Sequence, residues 1–141
     1  MIQTTFPRIK RDFLETLQIN IGYKCNQSCS HCHVNAGPNR KEMMSEETIK
    51  IIPKVIEANN IKVLDITGGA PELHPMFKQL ITEVKSLGVQ VIDRCNLTIL
   101  TEPGYKDMAN FLASNKVEIV ASLPCYLKDN VDEQRGVGVF E

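Results

Sequence analysis

Charge of one sign is what this chain lacks most plainly: 16 Lys and Arg residues stand against 17 Asp and Glu, a formal net charge of −1. That balance gives no electrostatic pull towards nucleic acid, a membrane surface or acidic ligands. Long apolar runs are missing as well, and none reaches the ~20 residues that span a bilayer. The opening residues, Met1 to Arg8, have no extended apolar core of the secretory kind. The chain therefore reads as cytoplasmic, with neither nucleic acid nor membrane as a partner. Proline and glycine are few, 7 and 8 in 141 residues, and 43% of the chain is apolar. Such a composition fits one ordinary globular unit over residues 1–141. Cysteine is the exception. There are five, an odd number, and three of them fall within eight positions. In a cytosolic chain such a cluster binds metal or does redox chemistry more often than it forms disulfides.

Strand-like and helix-like stretches alternate. Residues Thr16 to Ile21 alternate apolar and polar and read as a first strand. A long polar segment with the clustered cysteines follows. Ser45-Glu46-Glu47 then supplies a capping hydroxyl and first-turn acids for a helix with Ile49, Ile52, Val55 and Ile56 on one face. Pro53 inside it predicts a kink or two short helices. Val63 to Thr67 reads as a second strand and is stopped by Gly68-Gly69. His74-Pro75 opens a second helix with Phe77, Leu80, Ile81, Val84 and Leu87 inward and Gly88 as its C-terminal cap. Val89 to Asp93 reads as a third strand, 103–114 as a third helix and Val117 to Leu123 as a fourth strand. The tail from Lys128 onward shows no periodicity and reads as a loop leading beyond this chain. Strand starts near residues 62, 89 and 117 repeat every 27 or 28 residues. Strands and helices alternating at that interval predict βαβ units and a parallel sheet.

The unusual residues all follow strand C-termini: the cysteines after the first, Gly68 to Glu72 after the second, Arg94-Cys95-Asn96 after the third, and Ser122 to Cys125 at the end of the fourth. That edge is where α/β sheets and barrels bind ligands. Cys25-x-x-x-Cys29-x-x-Cys32 offers three thiolates from one loop, soft donors suited to iron–sulfur clusters or zinc. Three cysteines on a 4Fe-4S cluster leave one iron open for a substrate, whereas structural sites are closed by four ligands. The alternative is a zinc site completed by His31 or His33.

Cys25-x-x-x-Cys29-x-x-Cys32 after a first strand, with His31 before the last cysteine, resembles the signature of the radical S-adenosylmethionine (SAM) superfamily. The resemblance implies a partial (β/α) TIM-like barrel, truncated at about four βα units, as the N-terminal portion of a radical SAM core. It implies a 4Fe-4S cluster on Cys25, Cys29 and Cys32, with SAM as the second cofactor. Gly68-Gly69-Ala70-Pro71 is similar to the glycine-rich segment whose backbone receives the SAM amino group, with Ala70 where the superfamily usually has Glu. Glu72 is then placed to take over a polar role. Asn96 and Ser122 are implied as contacts to ribose or carboxylate, the alternative for Asn96 being a turn residue bonded to its own loop.

Over longer stretches, from Leu17 to Gln27, Cys32 to Pro38, Leu64 to Glu72, Asp93 to Thr98 and Ser122 to Tyr126, the chain resembles the arsenosugar-biosynthesis radical SAM proteins. That resemblance implies reductive cleavage of SAM to a 5′-deoxyadenosyl radical and adenosylation of a methylated trivalent arsenical. It also implies further barrel units and a C-terminal domain that these residues do not include. A reductant such as flavodoxin or ferredoxin is the implied protein partner. Trivalent arsenic is thiophilic, so Cys95 and Cys125 are candidate substrate contacts, the alternative being small buried hydrophobes. Asp65, Asp93 and Arg94 beside apolar strands predict an Asp–Arg bridge, because a lone buried charge is costly. The rival to an enzyme is an inactive cluster- or zinc-binding fragment.

Overall fold

The computed structural model describes residues 7, 9–10 and 12–140. The stretch 1–6, part of the segment read for a signal, lies outside them. Four strands, β1 (Thr16–Asn20), β2 (Val63–Thr67), β3 (Gln90–Asp93) and β4 (Glu118–Ile119), form one sheet in the order β1-β2-β3-β4. Every neighbouring pair is parallel. Helices α1 (Glu46–Ala58), α2 (Phe77–Ser86) and α3 (Met108–Ser114) fill the three connections. Four strands alternating with helices are the βα repeat that the 27–28-residue interval predicts.

Register explains the core. Leu17 pairs with Leu64 and Ile19 with Ile66, while Leu64 pairs with Val91 and Ile66 with Asp93. In-register residues of parallel strands share a face, so this row points one way. It packs on Ile49, Ile52 and Ile56 of α1, Phe77, Leu80, Ile81 and Val84 of α2, and Met108 and Leu112 of α3. A fully buried side chain of this size contributes about 1.5–3 kcal/mol, so the three helix stripes carry most of the stability.

Ser45 caps α1, its hydroxyl accepting the Thr48 N–H at 3.2 Å. Pro53 does not divide the helix, which is continuous from Glu46 to Ala58. Buried isoleucines on both sides of the proline tie the whole length to the sheet and offset one lost hydrogen bond. The helix expected to open at His74-Pro75 starts at Phe77, after a single 3₁₀ turn over Pro71–Leu73. His74 instead fixes that corner: one ring nitrogen meets the Met44 carbonyl at 2.9 Å and the other accepts the Met76 N–H at 3.1 Å. Gly88 at φ +75° and exposed Leu87 close α2.

The tail is not a plain loop. Lys128–Arg135 form α4, with Asp129 in the first turn and Arg135 in the last, charges that suit the helix dipole. Its one buried apolar residue is Val131, so no hydrophobic periodicity announces it. The Ser30 N–H donates to the Gln134 carbonyl at 2.9 Å and docks α4 against the cysteine loop.

Candidate functional site

The cysteine loop is held by backbone pairing at its base. Tyr23 and Cys25 N–H groups donate to the Glu42 and Gly37 carbonyls, and Gly37 N–H returns to Tyr23. The glycine segment after β2 seats against the base of the same loop. Gly69 N–H donates to the Gly22 carbonyl and Ala70 N–H to the Lys24 carbonyl, each at 2.9 Å. A Cβ on Gly69 stands 2.4 Å from the Lys24 oxygen, and one on Gly68 2.6 Å from the Gly22 oxygen. Gly68 also sits at φ +151°. Only glycine fits either position, and the amides of 69 and 70 are spent on the loop.

Cys25, Cys29 and Cys32 line one cavity of about 430 Å³, together with His31, His33, Gly68, Gly69, Asn96 and Ser122. Four strand-end segments therefore meet there. Cys25 is buried, and Cys29 and Cys32 are half-buried. Sulfur acceptors are met by oriented N–H groups: Gln27 to Cys25 at 3.4 Å and Ala36 to Cys32 at 3.3 Å. Burial pushes the Cys25 and Cys29 thiols up, and the neighbouring thiols add to this at both. Three thiols gathered on one wall, two of them made harder to ionise by burial, suit a shared cationic metal centre, which displaces their protons. The donor set and the glycine-lined wall fit a thiolate-held cluster with SAM beside it.

Asn96 is committed within the protein. Its Nδ2 donates to Asn26 Oδ1 at 2.9 Å and Cys25 Sγ at 3.5 Å, while its Oδ1 accepts from Thr98 Oγ1 at 3.0 Å and Ile99 N–H at 3.1 Å. Those bonds use two donors and two lone pairs, the full capacity of the amide. It is a turn residue that also orients a thiol, and it lines the cavity. Ser122 is exposed on the rim and lines this cavity and a second. Ala70 and Pro71 are buried behind the wall.

The two remaining thiols are not brought together at the mouth. Cys125 lines the second cavity, of about 590 Å³, whereas Cys95 lines neither. Cys95 is 0% exposed, packed among Cys25, Ala36, Ala70 and Ile99. The Cys125 thiol is lowered by the Leu127 N–H and by the Asn130 amide, whose Nδ2 lies 3.5 Å from the sulfur. The Asp–Arg bridge forms with Asp65: Arg94 donates through Nε and one terminal nitrogen at 2.8 Å each, and Gln18 adds a bond of 2.7 Å. The guanidinium holds the Asp65 carboxyl below its usual range. Asp93 has no share in it, because adjacent strand residues point to opposite faces.

Arg135 is the residue that sequence reasoning missed. It lines both cavities, and its charge offsets part of the rise at Cys29. Its signal was the last turn of a short helix ahead of Gly136, visible only once α4 is recognised.

Among curated relatives, a probable GTP 3′,8-cyclase of Sulfurisphaera tokodaii is 32% identical over 79 residues, 56% of this chain and 25% of that protein. One of Saccharolobus solfataricus is 28% identical over 131 residues, 91% of this chain and 41% of its own length. The chain thus spans less than half of these relatives. Among solved structures, SuiB of Streptococcus suis matches with a TM-score of 0.70 at 20% identity, covering 90% of this chain and 28% of that one. SuiB bound to SAM matches with a TM-score of 0.71 at 19% identity. At that identity the likeness establishes the fold, a partial TIM-like (β/α) arrangement. The Radical SAM superfamily model matches residues 19–124, and the chain belongs to that superfamily.

Proposed function

We propose that Cys25, Cys29 and Cys32 hold a 4Fe-4S cluster, and that the cavity they share with Gly68 and Gly69 binds SAM for reductive cleavage to a 5′-deoxyadenosyl radical. The observation that carries this is the meeting of three thiols, a glycine wall and two further strand-end loops around one cavity of about 430 Å³. The chemistry the cluster supplies when bound is a single electron for the sulfonium of SAM. The chain's own residues position and enclose. Gln27 and Ala36 N–H groups orient Cys25 and Cys32, and the Asn96 amide adds a second donor to Cys25. Gly68 and Gly69, bare of side chains, let the turn close on the Gly22 and Lys24 backbone and so form the cavity wall. Arg135 brings one positive charge to the rim, suited to a carboxylate. A flavodoxin- or ferredoxin-like protein is the proposed electron source.

For the acceptor we infer a methylated trivalent arsenical. The sequence segments quoted above support it, and so does Cys125, an acidified thiol beside the second cavity. A thiolate is the soft donor that trivalent arsenic favours. The relatives named as GTP cyclases suggest a nucleoside triphosphate instead. The lining of the second cavity favours that less, for among the described residues Arg135 is its one cation and Glu102 stands opposite in charge. Anaerobic reconstitution of this chain with iron and sulfide tests the reading. Brown protein that forms 5′-deoxyadenosine from SAM under reduction supports it. Cluster without cleavage points to an inactive fragment, and colourless protein carrying one zinc on the loop overturns it. Supplying a dimethylated trivalent arsenical or GTP and seeking the adenosylated or cyclised product decides the acceptor.

A further inference from the structure

A second group of donors lies behind the glycine wall. Glu72 comes from the 3₁₀ turn after β2, Asp93 from the end of β3, and Cys95 from two residues beyond it. Their exposures are 3%, 0% and 0%. One donor atom from each lies within 4.8 Å of the other two. The four carboxylate oxygens are fully enclosed, and beyond one another, the Cys95 thiol and the Glu72 backbone N–H they meet no polar partner among the described residues. Neither nearby basic side chain serves them: Arg94 is turned to Asp65, and both His74 nitrogens are engaged elsewhere. The walls are apolar, from Ala70, Ile99 and Leu73 among others.

Two carboxylates and a thiol in such a pocket cannot all ionise without a compensating charge. Protons or a cation must supply it, and the placement of Cys95 as a third donor suits the cation. A carboxyl pair shares a proton without help from sulfur. Here the Leu97 N–H is aimed at Cys95 Sγ at 3.2 Å, and Leu97 takes φ +62° in doing so. That N–H fixes the sulfur beside the two carboxylates, where a cation held by all three displaces the thiol proton. Cys25 and Cys32 receive N–H groups in the same manner. N–H donors to a ligating sulfur are an outer-shell feature of metal sites.

We propose that Glu72, Asp93 and Cys95 bind one zinc-like divalent cation, a closed site separate from the Cys25–Cys29–Cys32 loop. Zinc accepts mixed thiolate and carboxylate donors at about 2.0–2.3 Å, so small side-chain shifts bring this trio onto one ion. The site is structural: it pins the glycine turn after β2 to the end of β3, directly behind the cavity. It stands whether or not the loop carries a cluster.

The test uses the full chain with Cys25, Cys29 and Cys32 all changed to Ser, which removes the competing thiols. After zinc loading and gel filtration, mass spectrometric metal analysis is expected to find one zinc per chain. Cys95→Ser and Glu72→Gln on that background are expected to lose it, with affinity falling at least tenfold. Cobalt(II) in place of zinc is expected to give a near-ultraviolet thiolate charge-transfer band that Cys95→Ser abolishes. A folded chain by circular dichroism that retains neither zinc nor the cobalt band overturns the proposal. Should the triple variant not fold, native mass spectrometry of the wild type against Glu72→Gln decides. A difference of one metal supports the site, and equal metal counts refute it.

Discussion

Cys25, Cys29 and Cys32 open onto a cavity of about 430 Å³, while Cys95, at the same end of the sheet, is sealed with two carboxylates at 0% exposure. Both places aim backbone N–H groups at sulfur. They differ in access and in company. The loop offers three soft donors to an open cavity, so what it binds is soft and remains reachable. The inner trio mixes one soft donor with two hard ones and leaves no path for a substrate. Motif spacing finds the first kind of site because its donors are close in sequence. The second gathers residues 72, 93 and 95 through strand pairing, and no spacing rule detects it.

Single substitutions separate the two places most sharply. Changing Cys25, Cys29 or Cys32 to Ser is expected to abolish reconstituted cluster absorbance near 400 nm (about a tenfold loss or more of iron per chain) and all SAM cleavage. The same change at Cys95 is expected to leave cluster absorbance in place, provided the chain is folded. Equal loss of iron from a folded Cys95→Ser protein would merge the two places into one and sink the distinction.

Gly69→Ala strikes the wall between them. Its Cβ meets the Lys24 oxygen at 2.4 Å, a contact with backbone on both sides that no rotamer relieves. The cost is expected at about 2–3 kcal/mol, with cluster yield lowered because the loop loses its seat. Urea unfolding of both proteins measures it, and a change under ~0.5 kcal/mol shows that the loop yields freely.

Much of this arrangement was legible in the sequence, for identifiable reasons. The stripes Ile49-Ile52-Ile56 and Phe77-Leu80-Ile81-Val84 carry the helical period and are buried as read, while Val55 and Leu87, read on the same faces, are exposed. The last three strands announce themselves by apolar runs at a fixed interval, and the first by its alternation. What was hidden depended on tertiary contact. Nothing local shows that Pro53 is bridged by buried residues on both sides, or that α4 is held by one buried valine and a bond from Ser30. The strand-end rule placed Cys95 near the ligand face but not its depth, because residues after a strand turn either to the mouth or into the wall. The same rule placed Asn96 correctly, while the saturation of its amide appears only with its four partners in view.

Asn96 tests whether orientation by a neutral donor matters at the open site. Asn96→Ala removes a donor from Cys25 and from Asn26 Oδ1 and leaves the Ile99 N–H without its acceptor, at a cost of about 1–3 kcal/mol. Asn96→Asp keeps the acceptor that caps the following turn but loses the donor to sulfur. If Asn96 orients the thiol, Asp is expected to restore stability towards wild type without restoring cluster yield. Recovery of both by Asp assigns the residue to the turn alone.

The smallest effect belongs to the opposite face of the sheet, where Asp65 is compensated by Arg94 as the inner trio is not. Arg94 and Gln18 lower the folded-state proton affinity of Asp65. A depressed carboxyl contributes stability that is complete above its unfolded value, about 3.9, and is lost as pH falls through the folded value. The Arg94 side chain is 45% exposed, so water screens the pair and the contribution is discounted to about 1 kcal/mol. Asp65→Asn keeps a partner for Gln18 and removes only the charge. Its deficit in urea unfolding is therefore expected to be about 1 kcal/mol at pH 7, and to close as the pH is lowered through about 4 and below. A deficit that persists unchanged at low pH assigns the role of Asp65 to packing and hydrogen bonding. It would leave compensation of charge as a need peculiar to the sealed trio.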